Sequence, residues 1–147
     1  MSATNAFETE ILQLIFENTD FAGIGDAGGL LGSVADGVFY ISLHTATLDD
    51  TTANQGVSET TYTSYARQSV ARTTAGWTVS GNTVDNDAAI TFPTGTGGSG
   101  TVTDFGIGDG SSGATALHFY GALTSSLVVG NGVQPEFAIG ALNITAD

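Results

Sequence analysis

Residues 38–46, "VFYISLHTA", mark a change of period in this chain. Phe39, Ile41 and Leu43 fall on one face, and Tyr40, Ser42 and His44 on the other. Strict alternation of this kind predicts a β-strand. The same pattern recurs downstream in short bursts. "SYARQSVART" (64–73) reads as a second strand. "GWTVSGNTVDNDAAITFP" (76–93) reads as a hairpin turning at Ser80-Gly81-Asn82, then a strand ending at Pro93. "TVTDFGIGD" (101–109), "TALHFYGALT" (115–124) and "SSLVVGNGVQPEFAIGALNIT" (125–145) supply the rest. About eight to ten short strands with turn signals every 8–12 residues predict an antiparallel β-sandwich, jelly-roll-like in character. Glycines inside "FGIGDG" and "FYGALT" predict bulges or close strand approach.

Upstream of Val38 the pattern is different. In "NAFETEILQLIFENTD" (5–20), Phe7, Ile11, Leu14 and Ile15 share a face at helical spacing, widened by Leu12 and Phe16. Asn5 followed by Glu8 has capping-box spacing. The spacing predicts one short N-terminal helix over residues 5–18. So broad an apolar face needs a partner, either the protein's own sheet or a neighbouring subunit. The glycine-rich segment 21–37 reads as an irregular connection anchored by Phe21, Ile24, Leu30 and Leu31. "TLDDTTANQGVSETTYT" (47–63) reads as a long surface loop and "TGTGGSG" (94–100) as a flexible tip. The whole, residues 1–147, is expected to form one β-sandwich domain.

Composition narrows function. Fifteen carboxylates face two arginines and no lysine, giving a formal net charge of −13. A nucleic-acid partner needs a basic face, and an anionic membrane needs cations; neither is expected here. Without cysteine there is no disulfide or thiol chemistry. No basic leader with an apolar run opens the chain, so no secretory signal is expected. His44 and His118 are the only histidines, both within predicted strands, and no GxSxG elbow is present. Acidic residues cluster at Asp49-Asp50, at Asp85-Asn86-Asp87 and at Asp104 with Asp109, but the calcium-loop pattern is incomplete. "GIGDGSSG" lacks the lysine of a phosphate loop. The expectation is therefore no enzyme, no cofactor and no metal site.

Both cations lie within "YARQSVARTTAGW" (65–77). Arg67 and Arg72 are five apart, which in an unbroken strand points them to opposite faces. Arginine forms bidentate bonds to carboxylates, so these two are expected to hold structure, locally or between subunits. Phe7, Ile11, Ile15, Arg67 and Arg72 are the candidate interface residues.

Taken together, "NAFETEILQLIF", "VFYISLHTA", "YARQSVAR", "ITFP", "VTDFGIGD" and "LHFYGALTSSLVVGNGVQPEFAIGALNIT" resemble a family of small virion structural proteins of tailed bacteriophages, usually labelled tail-fibre proteins. The resemblance covers nearly the whole chain, and its motifs are structural. It implies a virion protein that works by occupying a place in a lattice, as a homo-oligomer with a trimer favoured. Two jobs follow from it. The one expected first is a capsid cement or decoration protein on the outer surface of the head, clamping major capsid subunits around packaged DNA, because a compact sandwich with one amphipathic helix is short for a fibre. The other is a tail-fibre or tail-tip component that takes part in host attachment, with tail proteins as partners.

Overall fold

The computed structural model describes residues 2–146. The chain is mainly β, with antiparallel sheets and one short N-terminal helix, as its alternation predicts. Its contacts cluster into two compact units, each assembled from separated stretches. One unit takes residues up to 38, 71–90 and from 137 onward; the other takes 39–70 and 91–136.

The first unit is built on the helix α1 (Asn5–Phe16) and a three-stranded sheet. Thr4, not Asn5, caps the helix, its hydroxyl accepting from Phe7 N at 3.4 Å. The capping-box spacing from Asn5 is therefore out of register by one. The helix ends at Phe16, two residues short of the predicted 5–18. Strands β3 (Trp77–Ser80) and β4 (Thr83–Asn86) form the predicted hairpin, closed through Gly81-Asn82. Gly81 has φ +62°, the left-handed backbone that a two-residue hairpin needs at its first central position. Strand β9 (Asn143–Thr145) pairs on the far side of β4.

Trp77, Phe16, Val84 and Leu142 are almost wholly buried and form the core of this unit. Phe16 meets Trp77 edge-to-face at 4.9 Å. Asn86, the middle residue of the "DND" cluster, is an internal brace and not a ligand. Its Nδ2 donates to Ala88 O and Ala138 O, and its Oδ1 accepts from Leu142 N. This closes the C-terminal segment onto β4.

The second unit carries a four-stranded sheet in the order β2-β1-β6-β7. Strand β1 (Val38–His44) is the alternating segment described above, and β2 (Gln68–Ala71) lies at one edge. Strand β6 (Ser99–Gly108) pairs antiparallel with β1, from Tyr40↔Gly108 to His44↔Asp104. Strand β7 (Leu117–Gly130) pairs with β6 along its length, with one large irregularity. Val102 faces Leu127 and Asp104 faces Ala122, so residues 123–126 stand opposite Thr103 alone. The glycine-interrupted "FYGALT" thus runs into a bulge, as its composition predicts. Strands β5 (Ile90–Thr91) and β8 (Glu136–Phe137) form a two-residue ladder.

Ile41, Leu43, Val102 and Ile107 fill the core of the second unit, with Tyr65 stacked on Phe92. The polar face of β1 is buried as well: Ser42 and His44 have no solvent exposure. That is unusual for a strand face and directs attention to what surrounds it.

Candidate functional site

The polar face of β1 belongs to a buried network centred on Arg67. Arg67 is 6% exposed, and Glu59 meets it through both carboxylate oxygens. Nε donates to Oε1 at 2.7 Å and Nη2 to Oε2 at 2.8 Å. This fork-to-fork geometry is the strong form of an arginine–carboxylate pair. The remaining guanidinium hydrogens go to Gly110 O, Gly113 O, Thr115 Oγ1 and Gln55 Oε1. The Glu59 hydrogen bond, more than any other influence, raises the pKa of Arg67 and keeps it charged. One side chain thereby fastens the loop before β2 to the turn between β6 and β7.

Gln55 passes the network on. Its Nε2 donates to Tyr40 O at 2.8 Å and to Ser42 Oγ at 3.1 Å. Gly108 makes room for this, since a Cβ there would collide with Ala116 O and the Gln55 carboxamide. Ser42 Oγ lies 2.8 Å from His44 Nε2, and His44 Nδ1 lies 2.8 Å from Val57 O. A carbonyl can only accept, so Nδ1 carries the proton and Nε2 accepts from the serine. Burial lowers the pKa of His44 below the usual 6.5 of an imidazole, against the opposing pull of the Val57 carbonyl, Glu59 and Asp104. The imidazole is therefore neutral near pH 7. Tyr65 Oη donates to Glu59 Oε1 and accepts from Leu43 N, and burial raises its pKa strongly.

The Ser42–His44 contact has the look of half a catalytic triad, but its geometry does not serve one. A triad needs a carboxylate on the histidine's second nitrogen. Here a backbone carbonyl holds that position, while Asp104 Oδ2 accepts from Leu48 N instead. Neither Ser42 nor His44 is open to solvent. His118 is at the surface on β7, 3.8 Å from Asp109 and ring to ring with Phe39 at 6.2 Å, and it makes no contact with the Ser42–His44 pair. A groove of about 810 Å³ lies beside the network, and Asn54, Thr61, Tyr62, Ser111 and Ser112 help to line it. The charged groups in its wall, Glu59 and Arg67, are bonded to each other. Among the described residues no group of three His, Asp or Glu side chains is arranged to hold a metal ion. Asp49 folds back on Thr51 and Thr52, whose hydrogen bonds lower its pKa.

Arg72 performs a second fastening, inside the first unit. Nε donates to Ile15 O at 2.6 Å and Nη2 to Leu14 O at 2.9 Å. The last turn of α1 has no basic residue of its own, so Arg72 supplies the cation that its free carbonyls favour. Nη1 also reaches Asp36 O and Ser33 Oγ. The two arginines flank the short β2 and do not share one strand.

The other interface candidates lie on α1. The helix buries Glu8, Leu12 and Phe16 against its own hairpin. The face predicted from Phe7, Ile11 and Ile15 is turned from that line by one residue, about 100°. Phe7 remains 43% exposed, touching Phe21 ring to ring at 5.3 Å, and Ile11 and Ile15 are half-buried. Sequence reasoning missed Gln55, Glu59, Tyr65 and Thr115 altogether. Gln55 and Glu59 sit in the threonine- and serine-rich loop 47–63, Tyr65 and Thr115 at the starts of predicted strands, and only the tertiary fold brings the four to Arg67.

A family model matches residues 30–145, which takes in all nine strands of the described residues and the whole buried network. The chain belongs to the family described as Podophage GP4 fiber I protein gp80. This makes the protein a phage fibre or structural protein, associated with the virion. Helix α1 lies outside the matched residues. No curated protein matches the chain.

Proposed function

We propose that this protein is a structural subunit of the fibre apparatus of a tailed-phage virion, acting by rigid packing beside its neighbours and turning over no substrate. The observation that carries the reading is the match to the fibre family across residues 30–145. The geometry supports the mechanical part of it. The side chains best suited to chemistry, Ser42, His44, Glu59 and Arg67, are consumed in bonds to one another and to backbone carbonyls. Such a network stiffens a sheet and its loops. A homo-oligomer, with three copies favoured, is the assembly this reading expects. The formal net charge of −13 disfavours contact with DNA or an anionic membrane.

The head-clamp reading is the second one. The half-exposed flank Phe7, Ile11 and Ile15 favours it, since an amphipathic terminal helix is a ready docking element for a shell subunit. A cement protein stabilises the assembled lattice by binding only that lattice. Particles lacking this protein separate the two. Normal heat resistance with lost adsorption is the result the fibre reading expects. Bursting at lower temperature with adsorption intact would replace it with the clamp.

A further inference from the structure

Within the first unit, the segment between α1 and β1 has no regular secondary structure but is firmly built. Asn18 braces it in both directions: Nδ2 donates to Ser33 O at 2.9 Å, and Oδ1 accepts from Ser33 N at 2.6 Å. Phe21 and Leu30 exchange backbone hydrogen bonds at 2.9 Å. Gly32 fits so closely that a Cβ would lie 2.5 Å from Asn18 O. Arg72 reaches Ser33 Oγ and Asp36 O from the side. Against this order, Leu31 is 69% exposed and Val34 110% exposed, with Leu30 and Val38 near 40%. Holding apolar side chains rigidly in water is the habit of an interaction surface, not of a loop tip.

Carboxylates surround the apolar residues. Asp20 Oδ1 accepts from Gly32 N, next to Leu31, and Asp26 Oδ1 accepts from Gly28 N. Asp36 Oδ1 accepts from Asn18, which itself holds Ser33, next to Val34. All three carboxylates are exposed. A second copy of this chain would set carboxylate against carboxylate. It would bring no lysine to relieve them: Arg67 is buried in its ion pair, and Arg72, held on the carbonyls of Leu14, Ile15 and Asp36, is one cation against three carboxylates. Like charges at an interface cost enough to exclude a wrong partner.

We propose that Leu30, Leu31 and Val34 form a docking patch for a different protein, one that offers apolar side chains rimmed by lysine or arginine. The apolar residues anchor the contact, and Asp20, Asp26 and Asp36 select the partner by charge. This goes beyond the fibre reading and does not depend on it.

The test uses the full chain and three synthetic helical peptides with the same leucine face, carrying lysine, serine or glutamate on the other face. Leu31→Ser with Val34→Ser removes the anchors and leaves every carboxylate. Both positions face solvent, and unchanged Trp77 fluorescence verifies the fold. The Leu/Lys peptide should bind the native chain, lose roughly tenfold in affinity in about 0.5 M salt, and lose at least as much to the double substitution. The Leu/Glu peptide should not bind. Equal binding by native chain and double variant would reduce the effect to bulk charge and overturn the proposal. So would equal binding of lysine and glutamate peptides. Sedimentation of the two chains supplies the remaining outcome: an oligomer that dissociates on the double substitution would assign the patch to a second copy and overturn the heterotypic partner.

Discussion

At the scale of single residues, Arg67 carries the largest consequence. Its guanidinium is buried and doubly bonded to Glu59, so its removal strands a carboxylate and several carbonyls. Arg67→Met should destabilise the fold by about 3–5 kcal/mol in urea titration. Arg67→Lys should recover only part of that, since an ammonium cannot reproduce the fork. Loss below about 1 kcal/mol would mean that the network is incidental. His44 makes a pH prediction. Its folded pKa is depressed below 6.5, so between the two values the unfolded chain binds a proton that the folded chain refuses. Stability is therefore full above pH 6.5 and falls as the pH drops toward the folded value. Glu59 and Asp104, which raise the value, and Arg67, which lowers it, belong to the same environment. Substituting His44→Gln should flatten the stability slope below pH 6.5 relative to the native chain. An unchanged slope would show that other groups control it. The sequence shows why Arg67 and Arg72 matter but not how. Their spacing suggests one strand with two faces, whereas β2 begins only at Gln68 and leaves each arginine to a separate task. Nothing local in "QGVSET" marks Glu59 as the partner of a side chain eight residues on.

At the scale of elements, alternation identifies β1 and the β3–β4 hairpin, because period two and a Gly-Asn turn are local properties. Helix α1 is legible in its existence and not in its face. Seven apolar residues in twelve leave several stripes possible, and Trp77 and the hairpin select Leu12 and Phe16. Phe16→Ala should therefore cost about 3–5 kcal/mol. Ile11→Asp, on the half-buried flank, should leave the soluble fold cooperative while reducing incorporation into particles. If Ile11→Asp unfolds the free protein, the flank belongs to the core and the docking role for α1 is lost. The burial of Ser42 and His44 was not legible either. Polar residues on a strand's second face normally signal solvent, and only Gln55 and Val57 folding over β1 reverse that.

At the scale of the whole molecule, charge is the governing property. Fifteen carboxylates and two internally bonded arginines leave a surface with little that is cationic. Contacts to other proteins then rest on apolar anchors, hydroxyls and partners richer in lysine and arginine. The class of fold and the phage family were both legible, because they depend on patterns spread over the entire chain. The place in the virion was not, since head and tail proteins of this size face the same demands of rigidity and neighbour packing. A density map of intact virions at subnanometre detail, with the copy number per particle, measures that place directly. The account predicts this fold within fibre density at a handful to a few dozen copies. Hundreds of copies spread over the head lattice would contradict it.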